Sequence, residues 1–152
     1  MRATDVRWPR PEATAEAIRD GWFHAGDAGI IDADGFIYIK DRLKDMILSG
    51  SENVYPAEVE AAMDAHPDIV ELAVIGAPDP QWGEAVKAVV VRREGSDLNE
   101  KELLAWTRER IAGFKCPKTV DFTNALPRNA SGKVLKRTLR EKYWEGFGRR
   151  VN

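Results

Sequence analysis

Asp27 and Arg42 are a pair of side chains whose types suit a ligand that carries hydroxyl and phosphate groups. Asp27 follows Gly26 just ahead of a predicted hairpin, and a carboxylate there is able to accept hydrogen bonds from both hydroxyls of a ribose. Arg42 comes 15 residues later. The carboxylate therefore indicates a ligand that contains a ribose.

Two further segments offer binding surfaces of other kinds. Phe114 places an aromatic face beside Lys115 and close to Lys118, and this pattern suits an adenine ring with its phosphates. A compact polar loop, whose glycine lets a narrow ligand pass close to the backbone, consists of Ser49, Gly50, Ser51, Glu52 and Asn53.

Lys133 stands at the end of a flexible turn that is similar to a phosphate-binding loop only in part. A Walker loop requires glycine at the position of Pro127 and Ser or Thr at the position of Val134. The segment is therefore not a Walker loop. Its lysine still has the reach to contact a phosphate, and a solvated loop is the alternative interpretation.

The composition excludes several classes of protein. The chain has 152 residues and a net charge of −2, and its apolar runs are far shorter than the roughly 20 residues that a bilayer requires. The single cysteine, Cys116, excludes an internal disulfide framework. His24 and His66 are isolated, so we expect no metal held by this chain. No secretory signal is visible, and we expect a cytoplasmic protein.

The charges are unevenly distributed along the chain. Residues 1–114 contain 13 Lys/Arg against 22 Asp/Glu, whereas residues 115–152 contain 10 against 3. A basic tail of this kind indicates an anionic partner, namely a nucleotide, a phosphate or a nucleic acid. The alternative is a solvated basic helix.

The spacing of apolar residues predicts an α+β domain with a central sheet of about three main strands flanked by helices. A hairpin turn at residues 32–35 precedes a charged connector at residues 41–45. We then expect a loop at residues 76–83 between two strands. The remaining predicted elements are strand 46–48, helix 56–65, strands 69–75 and 85–92, a helix capped by Asn99, strand 119–123, and a last helix capped by Ser131.

Four motifs in this order closely resemble the late motifs of the adenylate-forming superfamily; they are residues 21–27, 41–47, 49–60 and 127–133. Within it the chain is most similar to bacterial AMP-forming long- and medium-chain fatty acyl-CoA synthetases, from about Trp8 to Tyr143. The resemblance implies a two-step reaction. ATP and a fatty acid give an acyl-adenylate and pyrophosphate, and CoA then displaces AMP. Mg²⁺ is expected to accompany ATP without being held by this chain.

The resemblance also implies a role for each candidate residue. Asp27 and Arg42 would bind the ribose of the nucleotide, Lys44 would be the hinge, and Lys133 would neutralise charge during adenylation. After a rotation about the hinge, the loop at residues 49–53 would line the pantetheine passage. The CoA nucleotide would then meet Phe114, Lys115 and Lys118.

The domain organisation follows from the same resemblance. Residues 1–40 correspond to the trailing segment of an N-terminal adenylation domain, residues 41–44 to the hinge, and residues 45–152 to a C-terminal lid domain. The phosphate loop and the acyl pocket of the family belong to the N-terminal domain, so we expect a C-terminal piece that is inactive alone. Because Trp8, Trp22 and Phe23 lack their partner, residues 1–40 are expected to be disordered, repacked or paired with another copy.

Two other interpretations remain open. The lid motifs are shared with aryl-CoA ligases, luciferase-like enzymes and peptide-synthetase adenylation domains, and the lid does not reveal which acid is used. The second interpretation is a protein of a different class. It would be a non-catalytic module that binds CoA, a nucleotide or a nucleic acid through the basic tail. The resemblance favours a ligase that has no nucleic-acid partner.

Overall fold

The computed structural model describes residues 11–147. Trp8 and the other residues of 1–10 and 148–152 lie outside the described residues. The four helices are α1 (Pro11–Ala17), α2 (Pro56–Asp64), α3 (Glu100–Arg108) and α4 (Lys136–Trp144). The nine strands of the described part are β1 (Ile18–Arg19), β2 (Trp22–Phe23), β3 (Asp27–Ile31), β4 (Ile37–Arg42), β5 (Ile47–Ser49), β6 (Glu52–Val54), β7 (Ile69–Asp79), β8 (Gly83–Arg92) and β9 (Thr119–Thr123).

Strand β8 lies at the centre of the main sheet. It pairs antiparallel with β7 along one edge and parallel with β9 along the other. Strand β5 meets the start of β8 where Ser49 pairs with Gly83, and β6 pairs with β5. The predicted α+β class is confirmed. Three long strands dominate the sheet, and two short ones extend it.

The two faces of β8 bury different helices because successive side chains of a strand point to opposite sides. Val86, Ala88 and Val90 join the larger core cluster, which also contains residues of α2 and α3. Val89 joins a smaller cluster against which Leu139 of α4 packs. The helices therefore cover both faces of the sheet, as the flanking-helix prediction requires.

Helix α3 begins with the predicted cap. The Asn99 side chain accepts a hydrogen bond from the backbone N–H of Glu102 at 3.1 Å. In return the Glu102 carboxylate accepts one from the backbone N–H of Asn99 at 3.2 Å. This reciprocal capping box satisfies two N–H groups that have no partner inside the helix.

Two predicted elements are wrong. Strand β7 continues to Asp79 and β8 begins at Gly83, so most of the loop expected at residues 76–83 is strand. Ser131 does not cap the last helix, because its hydroxyl donates to the Asn129 side chain within a turn. Helix α4 begins only at Lys136, after a short bridge between Arg128 and Val134.

The hairpin of β3 and β4 carries apolar side chains on both faces. Ile31 pairs across the hairpin with Ile37, and Ile30 pairs with Tyr38. All four side chains are about half exposed or more, up to 71% for Ile31. The described part of the N-terminal segment is thus a short helix and two hairpins whose apolar faces are largely uncovered.

An ionic cluster lies between α4 and the face of the sheet that carries Val89. The Lys87 ammonium is 2.8 Å from the Asp121 carboxylate, which also accepts a hydrogen bond from the Tyr143 hydroxyl. Burial acts to raise the pKa of Asp121, but the hydrogen bonds from Lys87 and Tyr143 outweigh it and lower that pKa below its usual value. Burial and the Asp121 hydrogen bond raise the pKa of Tyr143 well above its usual range. The cluster thereby ties α4 to β8 and β9.

Leu103 of α3 provides a test of which face forms the main core. It is fully buried, whereas Leu48 of β5 is 51% exposed. We expect Leu103→Ala to lower the free energy of unfolding by about 2–5 kcal/mol, because it leaves a cavity, and Leu48→Ala to lower it by less than about 1 kcal/mol. Urea denaturation of the two variants measures both values, and equal losses would contradict the described packing.

Candidate functional site

Asp27 and Arg42 lie opposite each other at the open end of the β3–β4 hairpin. They are paired across the ladder, and the Arg42 Nε atom is 3.6 Å from the Asp27 Oδ1 atom. The backbone N–H of Leu43 donates to the Gly26 carbonyl at 2.9 Å and closes the hairpin beside them. Their side chains remain 31% and 58% exposed, so both are accessible to a ligand. The structure therefore brings this predicted pair together.

Lys44 lies in a 3-10 turn, Leu43–Asp45, directly after β4, and Lys44 is exposed. Arg140 of α4 holds this turn: its Nη1 atom donates to the Lys44 carbonyl at 3.0 Å. Its Nη2 atom lies 3.1 Å from the Asp45 carboxylate. Arg140 was not among the predicted site residues, because a contact between residues 95 positions apart leaves no local pattern.

The segment predicted as a loop at residues 49–53 is a tight turn with its flanking strand ends. Ser49 ends β5, Gly50 and Ser51 form the turn, and Glu52 and Asn53 begin β6. Gly50 has a φ angle of +65°, a conformation that favours glycine. Its N–H donates to the Trp82 carbonyl at 2.9 Å. A Cβ atom at this position would lie 2.8 Å from Cε3 of the Trp82 ring, so the turn rests directly on that indole.

Trp82 belongs to the turn between β7 and β8, which Asp79 organises. The Asp79 Oδ1 atom accepts hydrogen bonds from the backbone N–H groups of Gln81 and Trp82, at 2.9 and 2.8 Å. The Lys118 ammonium lies 3.3 Å from the Asp79 Oδ2 atom and 5.2 Å from the centre of the Trp82 ring. The hydrogen bond from Trp82, followed by those from Gln81 and Lys118, outweighs desolvation and lowers the pKa of Asp79.

Gly50, Trp82 and Lys118 thus form one surface, which we call the indole platform. Its members come from three segments that the fold brings together. Gly50 and Lys118 are predicted site residues, whereas Trp82 was missed. The Asp79–Pro80 turn signal was the available clue, since Asp-Pro favours the start of a turn.

Phe114 and Lys115 lie in a second 3-10 turn, Gly113–Lys115. The Phe114 side chain is exposed, and the Lys115 ammonium lies 5.6 Å from its ring centre. Lys115 also pairs with Glu58 of α2 at 2.6 Å. Cys116 beside them is buried, and burial raises the pKa of its thiol, which makes it a poor nucleophile.

Lys133 lies in a tight turn that Asn129 organises. The Asn129 Oδ1 atom accepts hydrogen bonds from the Lys133 N–H at 2.9 Å and from both the N–H and the hydroxyl of Ser131. Arg128 donates to the Gly132 carbonyl and pairs with Glu71 of β7 at 2.8 Å. The turn is therefore fixed to the sheet, and the Lys133 side chain is left exposed.

Apart from the predicted hinge residue Lys44, the predicted site residues fall into three groups. One is the pair of Asp27 and Arg42. The second is the indole platform with the Gly113–Lys115 turn that precedes Lys118 in the chain, and the third is the Lys133 turn. Within residues 11–147 no cluster of three or more His, Cys, Asp or Glu side chains is arranged to hold a metal ion. Likewise, no helix in that range is long and apolar enough to span a membrane.

The order of these groups along an α+β fold is matched by a known family. Residues 58–133 match the AMP-binding enzyme C-terminal domain, and the chain belongs to this family. The matched region contains most of α2, the strands β7, β8 and β9, helix α3 and the Lys133 turn.

Curated relatives extend the match to the N-terminal hairpins. The chain is 57% identical over 136 residues to a feruloyl-CoA synthase from Amycolatopsis sp, which covers 90% of this chain and 28% of that protein. It is 52% identical to the long-chain-fatty-acid–CoA ligase FadD13 from Mycobacterium tuberculosis, over 90% of this chain and 27% of that protein. A 2-succinylbenzoate–CoA ligase from Geobacillus kaustophilus is 50% identical, over 88% of this chain and 27% of that protein. The chain therefore spans little more than a quarter of these relatives.

Solved structures share the fold. ATP-bound MatB from Rhodopseudomonas palustris is 47% identical and superimposes with a TM-score of 0.82, over 90% of this chain and 27% of that one. The apo structure of MatB has the same identity and coverage but a TM-score of 0.69. The two MatB structures thus differ in how closely they superimpose on this chain, at the same identity and coverage.

Gly50→Ala tests the contact between the loop and the indole platform. Gly95 is a matched control, because it also has a positive φ, +78°, but a Cβ atom there would meet no atom within 4 Å. We expect Gly95→Ala to cost about 1 kcal/mol for its backbone conformation alone, and Gly50→Ala to cost about 1 kcal/mol more because the Trp82 ring must move. Urea denaturation measures both, and in a Trp82→Ala background the excess should vanish. An equal cost for the two glycines would refute the contact.

Proposed function

We propose that the chain acts as the mobile C-terminal lid of an adenylate-forming carboxylate–CoA ligase. The parent enzyme converts an acid and ATP to an acyl-adenylate and pyrophosphate, and then transfers the acyl group to CoA with release of AMP. The observation that supports this most strongly is the family match over residues 58–133, together with ordered turns at Gly50 and Lys133. Relatives whose names give CoA ligase activities support the same reaction class.

In the first step, Lys133 neutralises the charge that develops between the carboxylate and the α-phosphate. The Asn129 turn supports this role because it fixes the backbone of Lys133 while its ammonium stays exposed. Asp27 accepts hydrogen bonds from the ribose hydroxyls, and Arg42, 3.6 Å away, assists it. Mg²⁺ would accompany ATP as part of the substrate, and no residue of this chain is proposed to hold it.

In the second step, the lid rotates about Lys44 and presents the indole platform to the reaction centre. Gly50 then lines the pantetheine passage, with Ser49, Ser51, Glu52 and Asn53 around it. Phe114, Lys115 and Lys118 receive the CoA nucleotide. By changing between these two orientations, the lid gives each of the two transition states its own surroundings. One rigid pocket cannot stabilise both transition states optimally.

The acid is proposed to be a fatty acid, in line with the resemblance to fatty acyl-CoA synthetases and the 52% identity to FadD13. An aromatic acid is the second candidate, and the 57% identity to a feruloyl-CoA synthase favours it. The parent enzyme is proposed to be cytoplasmic, where ATP and CoA are available.

Lys133→Ala tests the adenylation role. The chain is joined to the large domain of the Amycolatopsis relative, and both half-reactions are followed with ferulate. We expect ATP–pyrophosphate exchange to fall by roughly 100-fold or more, because a preorganised charge is lost, while thioester formation from presynthesised adenylate changes only a few-fold.

Lys101→Ala, at an exposed position of α3, is the matched control and should leave both steps unchanged. The chain of 152 residues by itself should show no exchange. If Lys133→Ala leaves the exchange unaffected, the lysine has no role in adenylation. If the isolated chain binds an oligonucleotide more tightly than CoA, in a salt-sensitive manner, the binding-module interpretation replaces the ligase.

Self-association through the N-terminal hairpin is proposed for the isolated chain, because the side chains of Ile31 and Ile37 are mostly exposed. Light scattering after size exclusion should show a species larger than a monomer for the wild-type chain. Ile31→Lys combined with Ile37→Lys should return it to monomer, whereas Val70→Lys, an exposed position of β7, should not. A monomeric wild-type chain at micromolar concentration refutes this proposal.

A further inference from the structure

Asp41 forms a contact that spans the proposed hinge. It lies near the end of β4, three residues before Lys44. Its Oδ2 atom accepts a hydrogen bond from the backbone N–H of Ala57 in α2 at 2.8 Å. Its Oδ1 atom accepts a second one from the N–H of Arg42 at 2.7 Å. One carboxylate therefore joins the hairpin that precedes Lys44 to the first helix that follows it.

The start of α2 needs this contact. Tyr55 occupies the N-cap position and forms no side-chain capping bond, and Pro56, the first helical residue, has no N–H. Ala57 is thus the first residue of the helix that donates, and Asp41 accepts its hydrogen bond. A carboxylate at a helix N-terminus also interacts favourably with the helix dipole. Asp41 therefore supplies the cap that the helix does not provide from its own sequence.

The position of Lys44 in the chain decides which contacts a rotation breaks. Asp41 lies before the φ and ψ torsions of Lys44 in the chain, and Ala57 lies after them. A change in either torsion therefore alters the distance between the Asp41 carboxylate and the Ala57 N–H. The carbonyl oxygen of Lys44 and the carboxylate of Asp45 both follow these torsions. Their bonds to Arg140, at 3.0 and 3.1 Å, therefore move with the lid and survive the rotation.

We propose that Asp41 is a positioning residue that holds the lid in the arrangement described here by capping α2 across the hinge. This inference rests on the proposed hinge at Lys44. The lid leaves this arrangement only when the Asp41–Ala57 bond breaks, and Arg140 keeps the first peptide of the lid fixed to α4 meanwhile.

The arrangement is measured on the chain as it exists, with the doubly labelled protein diluted into an excess of unlabelled protein so that only distances within one copy are recorded. Spin labels are attached at Asp34→Cys in the hairpin turn and Lys101→Cys in α3, both exposed, while the native Cys116 is buried. The wild-type background should give one narrow distance distribution. Asp41→Ala should broaden this distribution or add a second distance. The population in which the lid has left the Asp41-capped arrangement should rise by roughly 3- to 30-fold, as expected for a lost helix cap. Asp41→Asn, whose amide oxygen still accepts a hydrogen bond, should lie between the two.

Asp97→Ala removes an exposed carboxylate between β8 and α3 and should leave the distribution unchanged. An unchanged distribution for Asp41→Ala, or a broad one for the wild-type background, overturns the proposal. Circular dichroism verifies that each variant folds, and if Asp41→Ala does not, the comparison of Asp41→Asn with the wild type decides in the same way.

A kinetic readout separates this proposal from the proposed function. In the fused enzyme, Asp41→Ala should change the ratio of the adenylation and thioester rates, because it shifts the balance of the two lid settings. A purely structural defect lowers both rates together and would overturn the positioning role. If the fused enzyme shows no ligase activity, the proposed function fails, whereas the spin-label distances still decide whether Asp41 holds the lid.

Discussion

The pairing of β8 with its neighbours is the constraint on which the candidate site depends. One edge of β8 is occupied by β7, and the other is shared by β9 and the end of β5. The Trp82 turn joins β7 to β8, and the Gly50 turn extends from β5. Lys118 is fixed by a hydrogen bond from its N–H to the Val86 carbonyl of β8. A shift in the register of this one strand would separate all the members of the indole platform.

The sequence predicted the elements whose signals are local. The Asp32–Gly35 turn, Pro56 at the start of α2 and the Asn99 capping box each depend on neighbours within a few residues, and each is present. The start of α4 was misplaced because Ser131 has the residue type of a helix cap, but Asn129 recruits its hydroxyl into a turn instead. For Trp82 the only local signal was the Asp79–Pro80 turn, and its contact with Gly50 comes from a distant segment. The contacts of Arg140 with Lys44 and of Asp41 with Ala57 had no local signal, since these partners lie far apart in the chain.

The two lysines proposed to meet CoA already have carboxylate partners. Lys115 pairs with Glu58, and Lys118 pairs with Asp79, in both cases near the surface. Ion pairs of this kind contribute only about 0–1 kcal/mol, so a phosphate is able to displace the carboxylate at little cost. The pairs also keep each ammonium beside its aromatic neighbour when no ligand is bound.

The fully buried apolar side chains of the described residues all lie at or beyond Ile47. The peptide around Lys44 therefore connects a hairpin that contributes little to this core with a unit that contains all of it. Torsional freedom at that peptide disturbs no packed layer. It also means that the unit beyond the connector is a module in the evolutionary sense: recombination at this point would transfer a complete core from one polypeptide to another. The contacts to be rebuilt would be those of a short turn and the Asp41–Ala57 hydrogen bond.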